Sequence, residues 1–276
     1  MSPFRQQLER AWETNDSLVC VGLDPEIERF PVHIRAAPSP IFQFNRSIID
    51  ATAGLVCAYK PQFAHYAAYE AEDQLERTIE YIHRTQPGVP VILDAKRGDI
   101  GNTAERYAIE AFERYGADAV TVNPYLGGDS LEPFLRHAER GVVILCRTSN
   151  PGAVDLQDLK VGERPLYQAV AELAAQRWNS RGNCLLVVGA TYPRELAQVR
   201  ALVGDMPLLV PGIGTQGGDV EQVVANGCTR AGTGLIISSS RAILYSSAGE
   251  DFAQAARAAT ASLREKINAS RRARPA

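Results

Sequence analysis

Along the chain, short runs rich in Val, Ile and Leu alternate with stretches whose apolar residues return every three or four positions. The runs are LVCVGLD (18–24), LVCAYKP (55–61), VPVILDAK (89–96), ADAVTVNP (117–124), GVVILCRT (141–148), NCLLVVGA (183–190), MPLLVPGI (206–213) and AGTGLIIS (231–238). Each is of strand length and bounded by Gly, Pro, Asp or Asn. The intervening stretches, such as FNRSIIDATAG, AEDQLERTIEYIHRT, NTAERYAIEAFERYG and LYQAVAELAAQRWNSRG, carry a helical period. Two of them end at Gly54 and Gly116, the residue type that most easily supplies a helix C-cap.

Strands that are apolar on both faces and separated by helices predict parallel strands joined by crossovers. Eight such units in 276 residues predict an α/β fold, a single (β/α)8 TIM barrel with its active site at the C-terminal rim of the strands. A doubly wound open sheet is the alternative, but CVGLDPE after the first run lacks the G-x-G-x-x-G phosphate turn of dinucleotide-binding sheets. With no linker and no repeat beyond the strand–helix alternation, residues 1–268 are expected to form one domain, followed by a basic tail, 269–276, expected to fray. The first loop, DPEIERFPVHIRAAPSP (24–40), is long and stiffened by proline.

Composition narrows the function classes. Charged residues are 22% and the net charge is −3, which gives no global attraction for nucleic acid or a membrane surface. No run approaches the ~20 apolar residues of a membrane span, and the N-terminus lacks the apolar core of a secretory signal. The five cysteines are widely spaced with no C-x-x-C pair. They read as reduced, buried thiols, which points to a cytoplasmic protein. His33, His65, His83 and His137 show no metal-ligand spacing.

The segment VILDAKRGDI (91–100) breaks the apolar pattern. Side chains alternate along a strand, so Val91, Leu93 and Ala95 share one face and Ile92, Asp94 and Lys96 the other. In a barrel the first set meets the helices, and Asp94 and Lys96 then point inward at the rim. A lone D-x-K could be a structural ion pair. Here Asp24 also ends the first run and Lys60 the second, so acids and lysines gather at one rim. Lys60, Asp94, Lys96 and Asp99 are expected to form a lattice in which each ion offsets its neighbour's desolvation.

The later runs supply a different chemistry. PGIGTQGGD (211–219) follows the seventh and SSSRA (238–242) the eighth. Glycine-dense turns let backbone N–H groups converge on an anion, and Arg241 adds a fork-shaped cation, so a phosphate is expected there. RTSNPGAVDLQDLKVGERP, after the fifth run, is a candidate lid.

Together these segments resemble the orotidine 5′-phosphate decarboxylase family from about Cys20 to Tyr245. LDAKRGDIGNT is similar to the family's D-x-K-x-x-D-I-x-x-T signature, and GLD, YKPQ, TSNPG and PGIGTQGGD accompany it. The long first loop and TVNPYLGGDSLEPF (121–134) are similar to the longer bacterial branch. The resemblance implies a cofactor-free carboxy-lyase of pyrimidine biosynthesis that converts orotidine 5′-monophosphate to UMP and CO2. It implies that Asp24 binds a ribose hydroxyl, that Lys60 contacts ribose and Asp94, that Asp94 lies beside the substrate carboxylate and that Lys96 protonates C6. It implies a homodimer in which Asp99 and Thr103 serve the neighbouring subunit's site. Ser149 is placed at the base, Gln216 between base and phosphate, and Arg241 at the phosphate. Ser240 departs from the glycine that many relatives have before that arginine.

Two rival functions have distinguishing marks. Mg-dependent sugar-phosphate decarboxylases and aldolases of the same superfamily carry an acidic metal ligand at the end of the second strand, where this chain has the cation Lys60. A non-catalytic phosphoribonucleotide-binding module would have no need to keep every reactive motif position occupied.

Overall fold

A computed structural model describes residues 2–213 and 218–274. Its eight parallel strands are β1 (Val19–Leu23), β2 (Ala58–Pro61), β3 (Ile92–Arg97), β4 (Ala119–Val122), β5 (Gly141–Arg147), β6 (Cys184–Val188), β7 (Leu208–Pro211) and β8 (Leu235–Ser239). Six of the eight lie wholly within their sequence runs, and β3 and β8 each run one residue beyond, to Arg97 and Ser239. They pair in the order β2-β1-β8-β7-β6-β5-β4-β3. The bridges Tyr59↔Val91 and Gln62↔Asp94 join the two end strands and complete the barrel. That ring sets aside the doubly wound alternative.

A helix follows each strand. They are α2 (Pro40–Thr52), α3 (Glu72–Thr85), α4 (Gly101–Ile109), α5 (Gly128–Leu135), α6 (Leu166–Leu173), α7 (Pro193–Val203), α8 (Val220–Gly227) and α9 (Phe252–Arg272). The strands are apolar on both faces because one face fills the barrel and the other meets these helices. Ahead of β1, α1 (Pro3–Thr14) starts at the Ser2 N-cap and buries Phe4, Leu8, Ala11 and Trp12. Its Phe4 ring lies over the first residue of β5, where a Cβ on Gly141 would come within 2.7 Å of ring carbons. That end of the barrel is thereby closed by side chains, which leaves the opposite rim for chemistry.

The basic C-terminus differs from the expected frayed tail. Helix α9 runs on to Arg272. Arg271 pairs with Asp16 at 2.9 Å and donates to the Gly232 carbonyl, and Arg274 donates to the carbonyls of Thr229 and Cys228. Carbonyl acceptors at the barrel base, invisible to a reading of charge alone, hold these arginines. All five cysteines are free and buried. Burial pushes the thiols of Cys20, Cys146 and Cys184 up to about 12, which leaves them inert at neutral pH. No helix among the described residues is long and apolar enough to cross a membrane.

Candidate active site

The C-terminal ends of the strands surround a cavity of about 500 Å³, within the usual range for a small-molecule site. One side is a ring of alternating charge. Lys60, at the end of β2, is 4% exposed and Asp94, on β3, is 7% exposed. The Lys60 ammonium donates to Asp94 Oδ2 at 3.0 Å and lies 3.8 Å from Asp24 Oδ1. Lys96 Nζ donates to Asp94 Oδ1 at 2.7 Å. Burial by itself would raise the Asp94 pKa, but Lys60 and Lys96 outweigh it and hold the carboxyl well below the usual carboxylate range. Burial would likewise lower Lys60, and the carboxylates of Asp24 and Asp94 reverse that and keep it above the ordinary lysine value. Lys60 and Asp94 are therefore both charged at neutral pH. Asp24 Oδ1 is buried without a hydrogen-bond donor among the described residues, an acceptor left open at the cavity wall.

The local backbone of β3 explains how Asp94 and Lys96 reach each other. The β3–β4 register runs Leu93↔Val120 and then Arg97↔Val122. Asp94, Ala95 and Lys96 thus stand against the single residue Thr121. At this bulge Lys96 takes φ +46°, a left-handed conformation that costs a side-chain-bearing residue about 1–2 kcal/mol. The next residue, Arg97, leaves the site. It makes two hydrogen bonds of 2.9 Å to Glu110 and lies between the rings of Phe63 and Tyr107. Its role is to fix the strand end to α4.

The opposite wall is built on loops. Leu145, Val187, Leu209 and Ile213 give it an apolar floor, and Ser149, Asn150, Ser240 and Arg241 line it above. Gly189 allows the backbone of Ser149 to approach β6, since a Cβ there would lie 2.8 Å from the Ser149 Cβ. The long loop after β5 is anchored rather than open. Arg147, 1% exposed, stacks on Tyr192 and bonds Asp158, while Gln157 accepts from Thr148 N and donates to Thr148 Oγ1, both at 2.8 Å. Arg241 is exposed and has no carboxylate partner among the described residues. Ser240 is matched to Gly22 of the GLD segment: its hydroxyl occupies the space into which a Cβ on Gly22 would project. Gln216 lies outside the described residues.

Asp99 and Thr103 do not join the lattice within one chain. Asp99 Oδ1 accepts from Ile100 N at 2.8 Å, Thr103 is exposed on the first turn of α4, and neither lines the cavity. Six polar residues of the cavity lining, Gln62, Thr121, Thr148, Asn150, Gln157 and Ser238, carried no role from the sequence. Gln62 could have been read from its place in YKPQ, and Asn150 from TSNPG. Thr121 and Gln157 are ordinary polar residues without a motif.

A barrel whose mouth holds a buried Lys60–Asp94 pair extended by Lys96 and Asp24 on one side, and on the other Arg241 with no carboxylate partner among the described residues, has the features of an enzyme acting on a small anionic substrate. The family model described as "Orotidine 5'-phosphate decarboxylase / HUMPS family" matches residues 17–259, and the chain belongs to that family. It is 62% identical over 268 residues to the orotidine 5′-phosphate decarboxylase of Azoarcus sp. (strain BH72), an alignment covering 97% of this chain and 99% of that one. Among solved structures, the OMP decarboxylase of Leishmania donovani superposes with a TM-score of 0.85 at 41% identity, covering 99% of this chain and all of that one. The UMP synthase of the same organism superposes with a TM-score of 0.88, also at 41% identity, and this chain spans 58% of its length.

Proposed function

We propose that the chain decarboxylates orotidine 5′-monophosphate to UMP and CO2. The observation that carries this reading is the buried Asp94 carboxylate held between Lys60 at 3.0 Å and Lys96 at 2.7 Å. Loss of CO2 breaks the bond from C6 to the carboxylate and leaves its electron pair in the plane of the pyrimidine ring, where no adjacent carbonyl can take it up. Fixed charge in a water-poor site is then the main means of stabilisation. The Lys96 ammonium stands next to the developing carbanion and donates the proton that forms the new C6–H bond. Lys96 regains its proton from solvent, so the balance is substrate plus one proton giving UMP and CO2. Asp94 orients Lys96 through the 2.7 Å bond, and Lys60 keeps Asp94 ionised.

The remaining assignments follow the same chemistry. The open Oδ1 of Asp24 suits a ribose hydroxyl donor, Ser149 the base, and Arg241 and the Ser240 backbone the phosphate, with Gln216 bridging base and phosphate. Asp99 and Thr103 serve the site of a second subunit in a homodimer. Supporting that reading, neither residue lines the cavity of its own chain. Ile100, Tyr125 and Leu126 are 59%, 74% and 46% exposed on the neighbouring loops, apolar area that a partner would cover. The five buried free thiols suit the cytoplasm.

The test is a spectrophotometric assay of purified protein for consumption of orotidine 5′-monophosphate, with released CO2 trapped in parallel, before and after exhaustive chelation. Turnover unaffected by chelation is expected. Binding of UMP without turnover, or activity lost on chelation and restored by Mg²⁺, would overturn the reading.

The pH dependence supplies a separate expectation. Because the Asp94 pKa is depressed in the folded protein, its ion pairs contribute stability above the ordinary carboxylate pKa. That contribution is lost only as pH falls through the depressed value. Lys60→Met removes the strongest of the groups that hold Asp94 ionised and leaves its burial in place, so the pKa must rise. The acid limb of kcat/KM is expected to move up by about one unit or more in the variant's pH–rate profile. An acid limb that stays in place would show that Lys60 does not set the Asp94 charge.

A further inference from the structure

We infer that Thr121 is a positioning residue for the reaction, fixing Asp94 and Lys96 relative to each other through one buried hydroxyl. The inference deepens the proposed function and rests on it. Where three residues of β3 face one of β4, the regular ladder cannot supply partners for all the backbone groups on the longer side. Thr121 is the residue on the shorter side, and it is 1% exposed. Its Oγ1 accepts from the Lys96 backbone N–H at 2.9 Å and donates to Asp94 Oδ1 at 2.8 Å. That same carboxylate oxygen accepts from Lys96 Nζ at 2.7 Å.

The hydroxyl therefore closes a small ring: Lys96 backbone, Thr121, Asp94 and back to the Lys96 ammonium. Two effects follow. The bond to the Lys96 N–H holds a lysine in the left-handed region, from which an unsupported strand residue would relax toward extended backbone. The bond to Oδ1 fixes the rotation of the Asp94 carboxylate, so the oxygen shared with Lys96 keeps one direction. Both groups take their positions before substrate arrives, the condition under which fixed charge is most effective. With a hydroxyl the only donor–acceptor at this position, valine matches the shape and deletes both bonds, whereas serine keeps both and deletes only the methyl group.

The experiment compares kcat and KM for orotidine 5′-monophosphate in the parent, Thr121→Val and Thr121→Ser, each checked for folding by thermal melting. Thr121→Val is expected to lower kcat by about 10- to 100-fold with KM within about two-fold, and Thr121→Ser to stay within about three-fold of the parent. In a Lys96→Ala background, adding Thr121→Val is expected to cost nothing further. Equal losses in the valine and serine variants would assign the effect to packing by the methyl group and overturn the inference. So would parental kcat in Thr121→Val, or a loss confined to KM. If Thr121→Val does not fold, Thr121→Cys, a weak donor and acceptor of similar size, replaces it with the same outcomes deciding. An active parent with an unaffected valine variant removes Thr121 alone, while an inactive parent removes the proposed reaction itself.

Discussion

Lys96→Ala is expected to lose turnover by roughly four orders of magnitude or more while still binding UMP. Two contributions vanish together. The ammonium that offsets the carbanion charge is lost, and so is the proton that must reach C6. Neither can be supplied from elsewhere in the lattice: Lys60 is engaged by Asp94 at 3.0 Å and sits a strand away at the barrel wall. The proposed phosphate and ribose contacts, at Ser240, Arg241, Asp24 and Lys60, are left in place, so affinity for the product is expected to persist. Steady-state kinetics and UMP titration by calorimetry measure the two halves. A variant that keeps kcat within ten-fold of the parent would take Lys96 out of the chemical step.

Mixing two inactive proteins is expected to recover activity. Lys96→Ala lacks the proposed proton donor and Asp99→Ala lacks the acid proposed to reach into a partner's site. In the proposed homodimer, each variant alone then has two defective sites. A heterodimer carries both defects in one site and neither in the other, so each heterodimer has one intact site, about one site in four of an equimolar mixture once subunits have exchanged at random. Activity measured against mixing ratio, with exchange followed by native mass spectrometry, reads this out. Demonstrated heterodimers without recovered turnover would return Asp99 to its own subunit or remove it from the site.

The barrel was legible because the strands are apolar on both faces, the mark of parallel strands covered on both sides, and because eight strand–helix units match the size of a closed barrel. Lys60, Asp94 and Lys96 stood out since charge at the end of such a run needs a partner, and runs ending in opposite charges supply one. The period-two argument placed Lys96 beside Asp94, yet the pleat is not what brings them together. At Lys96 the chain has left regular strand geometry, with φ +46°, and the ammonium folds back onto Asp94 through the bulge. Thr121 was illegible for the same reason, because its role exists only once the β3–β4 register is known. The pairing of Ser240 with Gly22 is also a matter of register, set by β1 lying against β8 with Val21 beside Ser239. Arginines at the C-terminus read as a solvated tail because their acceptors are carbonyls, which every residue has and no sequence marks.

One seam of the barrel differs from the other seven. Between β2 and β3 there is no continuous ladder, only the bridges at Tyr59↔Val91 and Gln62↔Asp94, and the Lys60–Asp94 pair crosses the same gap. The groups proposed to act on substrate are thus also the clasp of the cylinder. A ligand that engages this pair is expected to protect amides of β2 and β3 from hydrogen exchange more than those of the continuously laddered strands. Opening of that seam would separate Lys60 from Asp94, so local unfolding there and loss of the charged site would be the same event.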